Sequence, residues 1–245
     1  FYTIGSKLKL PAHEVRRQLS VLNAAASASA TNPKAFRDGL ASLGEEIMAQ
    51  LFALYLSKVR KAPAKYLGPR EVDLLVTENY GDAYPLPDTA ARLSQKLSGR
   101  EGIVVFPGFY GITKSGNRAT FSRGGSDLTG ALIAEAVDAD VYENWTDVDG
   151  ILRADPKIIP HAEVIPEITF REIRELAYLG FKVLHHDAII PVKRKRIPVN
   201  LRNVNNLKHP GTMIVESRIP LAEIVVGVAM KKDFCCFTIE KYLMN

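Results

Sequence analysis

Six residues stand where their charges could do chemistry: Glu45, Arg123, Asp127, Asp147, Asp149 and Lys182, cations and carboxylates in or beside glycine-containing loops. In Phe121-Ser-Arg-Gly-Gly-Ser-Asp-Leu-Thr129 a fixed cation is followed by two glycines, a hydroxyl and an acid, and an apolar run starts at once. Glycines let backbone N–H groups approach a ligand, and a helix with Ser126 or Asp127 as N-cap aims its positive dipole end into the loop. That suits an anion. Asp127 does not, so a ligand carrying both signs fits better than a bare phosphate. Such a charge set suits phosphoryl transfer, where positioning and neutralisation supply most of the catalysis.

Other chemistries find less support. The chain has no Gly-x4-Gly-Lys-Ser/Thr loop, no Gly-x-Gly-x-x-Gly after a strand pattern and no protein-kinase motif set. No serine sits in a nucleophile elbow. The adjacent His185 and His186 lack Cys or His partners at zinc spacing, so no metal site is expected in the protein. Cys235 and Cys236 are neighbours, poorly placed to bridge each other, and fit a reducing cytoplasm. No apolar run approaches the ~18 residues of a membrane span, so no membrane partner is expected. Over 245 residues the formal charge of +5 is modest, and the basic run Lys193–Arg196 suits the C-terminal end of a helix, so no nucleic-acid partner is expected either.

These side chains need elements to hold them. Leu40, Leu43, Ile47, Leu51 and Leu54 recur at helical steps and predict an amphipathic helix from Phe36. Gly44 interrupts that stripe, as a packing compromise or as a place where something needs the space, and it brings Glu45 into play. Strands are predicted at Val72–Thr77, Ile103–Phe106, Val141–Trp145 and Ile197–Arg202, with a tight turn at Gly108–Gly111 and a hairpin at Lys114–Asn117. Helices are predicted at Asp88–Leu97, Leu128–Val137, Phe170–Leu179 and Asp187–Lys195. The alternation implies an α/β fold with a mainly parallel sheet covered on both faces, and ligands beyond the carboxyl ends of its strands. Ile224–Ala229 and Cys235–Glu240 read as two further short strands.

The motifs Ser122-Arg-Gly-Gly-Ser-Asp127, Trp145-Thr-Asp-Val-Asp-Gly150, Ala154-Asp-Pro-Lys157 and Leu179-Gly-Phe-Lys-Val-Leu-His185 resemble, in order, those of aspartokinase in the amino-acid kinase family. Gly44-Glu45, Val105–Gly111 and Asn203–Gly211 extend the resemblance over roughly residues 36 to 216, and Phe237–Asn245 resembles the entry into an ACT regulatory region. The resemblance implies an amino-acid kinase domain over 1–216, lacking its N-terminal strand and Gly-rich loop, and the start of an α+β ACT domain over 217–245. It implies ATP- and Mg2+-dependent phosphorylation of L-aspartate on its side-chain carboxylate, the first step towards lysine, threonine and methionine. Lysine or threonine would act as allosteric effector, and the ACT domains would join copies into a homo-oligomer. Related activities on glutamate, acetylglutamate or a nucleoside monophosphate, and a non-catalytic amino-acid sensor, are the alternatives.

Carried over by motif, Arg123 takes the α-carboxylate of aspartate, and Glu45 and Asp127 take its ammonium, with Gly124, Gly125 and Ser126 completing the pocket. Thr146, Asp147, Leu152 and Lys157 hold the nucleotide. Lys182 lies against ATP, and with Asp127 it counts as catalytic. Three departures stand out. The family's Lys-Phe-Gly-Gly loop has no counterpart, Leu152 replaces a common tyrosine, and His186 replaces a proline. The first leads to the expectation that these 245 residues are a piece of a longer chain and do not turn over alone.

Overall fold

The computed structural model describes residues 1–27, 32–178, 186–219 and 225–230. Helices α1 (Tyr2–Lys7), α2 (Ala12–Ala26) and α3 (Pro33–Leu54) open the chain, and α3 runs on into one wide turn at Tyr55–Val59. Asn32 caps α3: its side chain accepts from the N–H groups of Lys34 and Ala35 at 3.0 and 3.1 Å, with Pro33 in the first turn. Leu43, Ile47 and Leu51 of the predicted stripe pack with Leu10, from the link between the first two helices, and with Val15 of α2.

Strand β1 (Ala64–Tyr66) pairs in parallel with β3 (Ile103–Val105). Strand β2 (Leu75–Val76) pairs in parallel with β4 (Tyr110–Thr113), which forms the predicted hairpin with β5 (Arg118–Thr120). Helix α4 (Thr89–Leu97) and helix α5 (Gly125–Val137) cover this part, and Leu74, Val76, Leu93, Ala119, Phe121 and Leu132 form its core. Four further strands, β6 (Tyr142–Thr146), β7 (Glu167–Thr169), β8 (Val199–Asn203) and β9 (Thr212–Val215), form a sheet in the order β6-β8-β9-β7, with β7 and β9 parallel. Helix α6 (Phe170–Tyr178) follows β7, and α7 (His186–Arg194) precedes β8. This is the expected α/β class with parallel pairings, although the strands of the described residues form three sheets rather than one.

The chain divides into two compact units, Phe1–Asn144 with Leu184–Val199, and Trp145–Val183 with Asn200–Asn245. That division falls inside the stretch read as a single kinase domain. No helix among the described residues is long and apolar enough to cross a membrane.

Several elements differ from expectation. Val72 and Leu74 are fully buried, but they lie in a turn closed by the Leu74 N–H on the Pro69 carbonyl at 2.9 Å, so only Leu75–Val76 remains as strand. A buried turn and a buried strand present the same apolar run. In Gly108–Gly111 the turn ends early, because Tyr110 and Gly111 already pair in β4. Residues 225–229 are not a strand; the Val228 N–H donates to the Arg153 carbonyl at 2.7 Å. Ile224, the Cys235–Glu240 stretch and Leu179–His185 lie outside the described residues. Strands β1, β7 and β9, three or four residues long, were not among the predicted strands.

Candidate active site

The loop ahead of α5 is held by the strand that leads into it. Asp38, Ser42 and Glu46 stand one turn apart on a single face of α3, turned towards β5. The buried Asp38 accepts from the Thr120 N–H at 2.8 Å and from the Gly81 N–H at 2.7 Å. Arg118 donates to Ser42 Oγ at 3.4 Å, pairs with Glu46 and lies 5.3 Å from the centre of the Tyr110 ring. Tyr66 and Gln50 donate to the other Glu46 oxygen, each at 3.4 Å. Burial, and secondarily the Glu46 charge, pushes the Tyr66 phenol up to about 12 and raises Tyr110 as well, so both remain neutral.

Glu45 sits beside this stripe on an exposed part of α3. A Cβ added to neighbouring Gly44 would meet nothing within 4 Å, so packing does not require glycine there.

Helix α5 begins three residues earlier than the predicted Leu128. Gly124, at φ 83°, is the N-cap, and Ser126 and Asp127 fall in the first turn instead of capping it. Only a residue without Cβ takes that left-handed conformation at little cost, and it turns the chain so that the Gly125 N–H donates back to the Ser122 carbonyl at 3.0 Å. The Gly125 N–H is thus used within the loop. The glycine serves close approach instead, since a Cβ there would stand 2.5 Å from Phe121 Cβ. Arg123 and Ser126 are exposed, and the first-turn N–H groups point out of the helix beside them.

The turn at Gly108 reaches the same place. Phe109 holds φ 77°, its N–H donates to Thr129 Oγ1 at 3.1 Å, and a Cβ on Gly108 would stand 3.2 Å from Ser126 Cα. A phenylalanine in the left-handed region is strained, and such strain gathers where geometry serves function.

Asp127 is held from β6. Asn144 Nδ2 donates to its Oδ1 at 2.9 Å, and the Tyr142 hydroxyl donates to its carbonyl at 3.2 Å. Burial pushes the Tyr142 phenol up to about 12, which keeps it a donor. Sequence reasoning missed both residues. Their signal was the two-residue step that puts Tyr142 and Asn144 on one face of a strand.

In the second unit Thr146 ends β6 and donates to Asp147 Oδ1 at 3.3 Å, with Asp147 exposed. Leu152 opens an excursion that closes where it bridges Val164. Lys157 lies exposed in that excursion, its N–H on Asp155 Oδ1 at 2.9 Å. Asp149 is different: its Oδ1 accepts from Asn203 Nδ2 at 2.8 Å and from Asn206 Nδ2 at 3.1 Å. Lys182 lies outside the described residues. Among the described residues no three His, Cys, Asp or Glu side chains gather as a metal site.

The model of the amino acid kinase family matches residues 5–203. Aspartokinase 3 of Bacillus subtilis is 41% identical over 215 residues, covering 88% of this chain and 47% of that protein. Lysine-sensitive aspartokinase 3 of Escherichia coli is 36% identical over 223 residues, covering 87% and 49%. Among solved structures, Escherichia coli aspartokinase III in complex with aspartate and ADP superposes with a TM-score of 0.74 at 33% identity, over 84% of this chain and 47% of that one. Clostridium acetobutylicum aspartate kinase gives 0.71 at 36% identity, over 88% and 46%. The chain spans about half the length of the curated relatives it matches. With a family match that runs from α1 to the end of β8, and a fold shared with those kinases, the chain belongs to the amino acid kinase family.

Proposed function

We propose that this chain is the kinase part of an aspartokinase, which transfers the γ-phosphoryl group of ATP to the side-chain carboxylate of L-aspartate. One carboxylate oxygen forms the new bond to phosphorus, and the bond from phosphorus to the ADP oxygen breaks. An aspartate side chain with pKa ~3.9 is already ionised at neutral pH, so no general base is needed. The work is to hold two anions together.

The observation that carries this reading is the start of α5, where exposed Arg123 and Ser126 and the tethered Asp127 offer both signs of charge within five residues. Arg123 takes the α-carboxylate. Asp127 and Glu45 take the ammonium, and open space at Gly44 leaves room beside Glu45. Thr146, Asp147, Leu152 and Lys157 take the nucleotide, with Lys182 against its base or phosphates. Mg2+ supplies charge neutralisation between the phosphates when bound; carboxylates one or two at a time, with the phosphates, suffice to hold it. The relative from Escherichia coli solved with aspartate and ADP, and its form with lysine and aspartate, support this substrate pair and lysine as effector. Residues 217–245 are then the entry to an ACT region that pairs copies of a cytoplasmic enzyme.

The test uses the full-length protein with ATP and Mg2+, trapping aspartyl phosphate as its hydroxamate. Hydroxamate should form with L-aspartate. No trapped product with aspartate, but turnover of glutamate, acetylglutamate or a nucleoside monophosphate, would give the substrate to another branch of the family. No turnover of any of them, with aspartate still bound, would make the protein a sensor.

A further inference from the structure

We infer that Asp149 and Asn203 form a clamp that positions the Thr146–Asp147 turn for its nucleotide, so that Asp149 is a positioning residue and not a ligand. This rests on the proposed nucleotide role of that turn. The sequence put Asp147 and Asp149 on an equal footing, two carboxylates in one glycine-ended loop. The structure separates them.

Asp149 Oδ1 accepts two amide hydrogens, from Asn203 at 2.8 Å and from Asn206 at 3.1 Å. Asn203 is itself fixed, since its Oδ1 accepts the Asn205 N–H at 2.8 Å and the residue is 8% exposed. The amide can therefore present only its donor side to Asp149. The loop is also held at both ends. The Val204 N–H donates to the Thr146 carbonyl at 2.9 Å, and the Ile151 N–H donates to Thr212 Oγ1 at 2.8 Å. Thr212 passes its own hydrogen to the Ile165 carbonyl at 2.6 Å. Between these ties only Asp147 and Val148 face solvent fully. A contact on an exposed turn is useful to a ligand only if the turn is ordered beforehand, and the asparagine pair supplies that order. Neutral amides do this without cancelling the carboxylate charge.

The test uses the full-length enzyme and reads KM for ATP, KM for aspartate and kcat in each variant. Asn203→Asp places a second carboxylate against Asp149 and should raise KM for ATP about tenfold, with KM for aspartate unchanged. Combining it with Asp149→Asn reverses donor and acceptor, and should bring KM for ATP back to within about threefold of the parent. A single variant within twofold of the parent, or a double variant as impaired as the single one, would overturn the clamp. Asn206→Ala removes only the outer donor, so it keeps the question open to decision if Asn203→Asp does not fold. Its KM for ATP should rise about threefold, and no rise would also overturn the clamp. Asp147→Asn separates the two levels: if it leaves KM for ATP unchanged, the nucleotide role of the turn fails and not the clamp.

Discussion

Arg118 on β5 and Glu46 on α3 are ion-paired with side chains only 25% and 17% exposed, and the pair fixes the helix that carries Glu45 to the strand that runs into Arg123. Arg118→Met leaves Glu46 with its charge largely out of water. Breaking a fully buried pair costs about 3–5 kcal/mol, and partial exposure here lowers that to about 2 kcal/mol. Urea unfolding should show that loss, and the double variant with Glu46→Met should recover most of it. A single variant as stable as the parent would remove the pair from the list of what holds α3.

Arg123→Ala should weaken aspartate binding by about 2 kcal/mol, roughly thirtyfold, through loss of a charge-assisted pair. Calorimetric titration with aspartate measures it directly. ATP binding should stay as in the parent, and unchanged aspartate affinity would take Arg123 out of the pocket.

Gly44→Ala should stabilise the fold by about 1 kcal/mol, since alanine is the better helix former and nothing stands within 4 Å of the new methyl group. The methyl occupies space beside Glu45, so KM for aspartate should rise. Greater thermal stability with an unaltered KM would show that the open side serves something other than aspartate.

Glu135 on α5 pairs with Arg194 on α7 at 3.1 Å, yet burial raises its pKa above the ordinary 4.5 more than Arg194 and Lys195 lower it. The folded chain then holds this proton more firmly than the unfolded chain does. Stability from this group is therefore present below pH 4.5 and declines as pH rises through the folded pKa. Glu135→Gln should remove that part of the decline. Parallel melting curves of parent and variant from pH 4 to 8 would argue against it.

The sequence by itself determined the class of fold, the helix of Leu43, Ile47 and Leu51, the hairpin at Lys114–Asn117 and the contiguous run from Arg123 to Asp127. These rest on period, turn chemistry and neighbouring residues, all of which are local. Tertiary structure alone decided the rest. Asp147 and Asp149 look alike in the chain, and only contact with Asn203, fifty-four residues away from Asp149, assigns the second to the scaffold. Asp127 acquires its tether from Asn144, and Asp38 caps a strand end eighty-two residues on. The start of α5 moved to Gly125 because Gly124 takes a left-handed turn and Gly125 packs tightly against Phe121, a packing demand that no propensity encodes. Hydrogen bonds between distant segments depend on which surfaces meet, and periodicity along one segment holds no information about its partner.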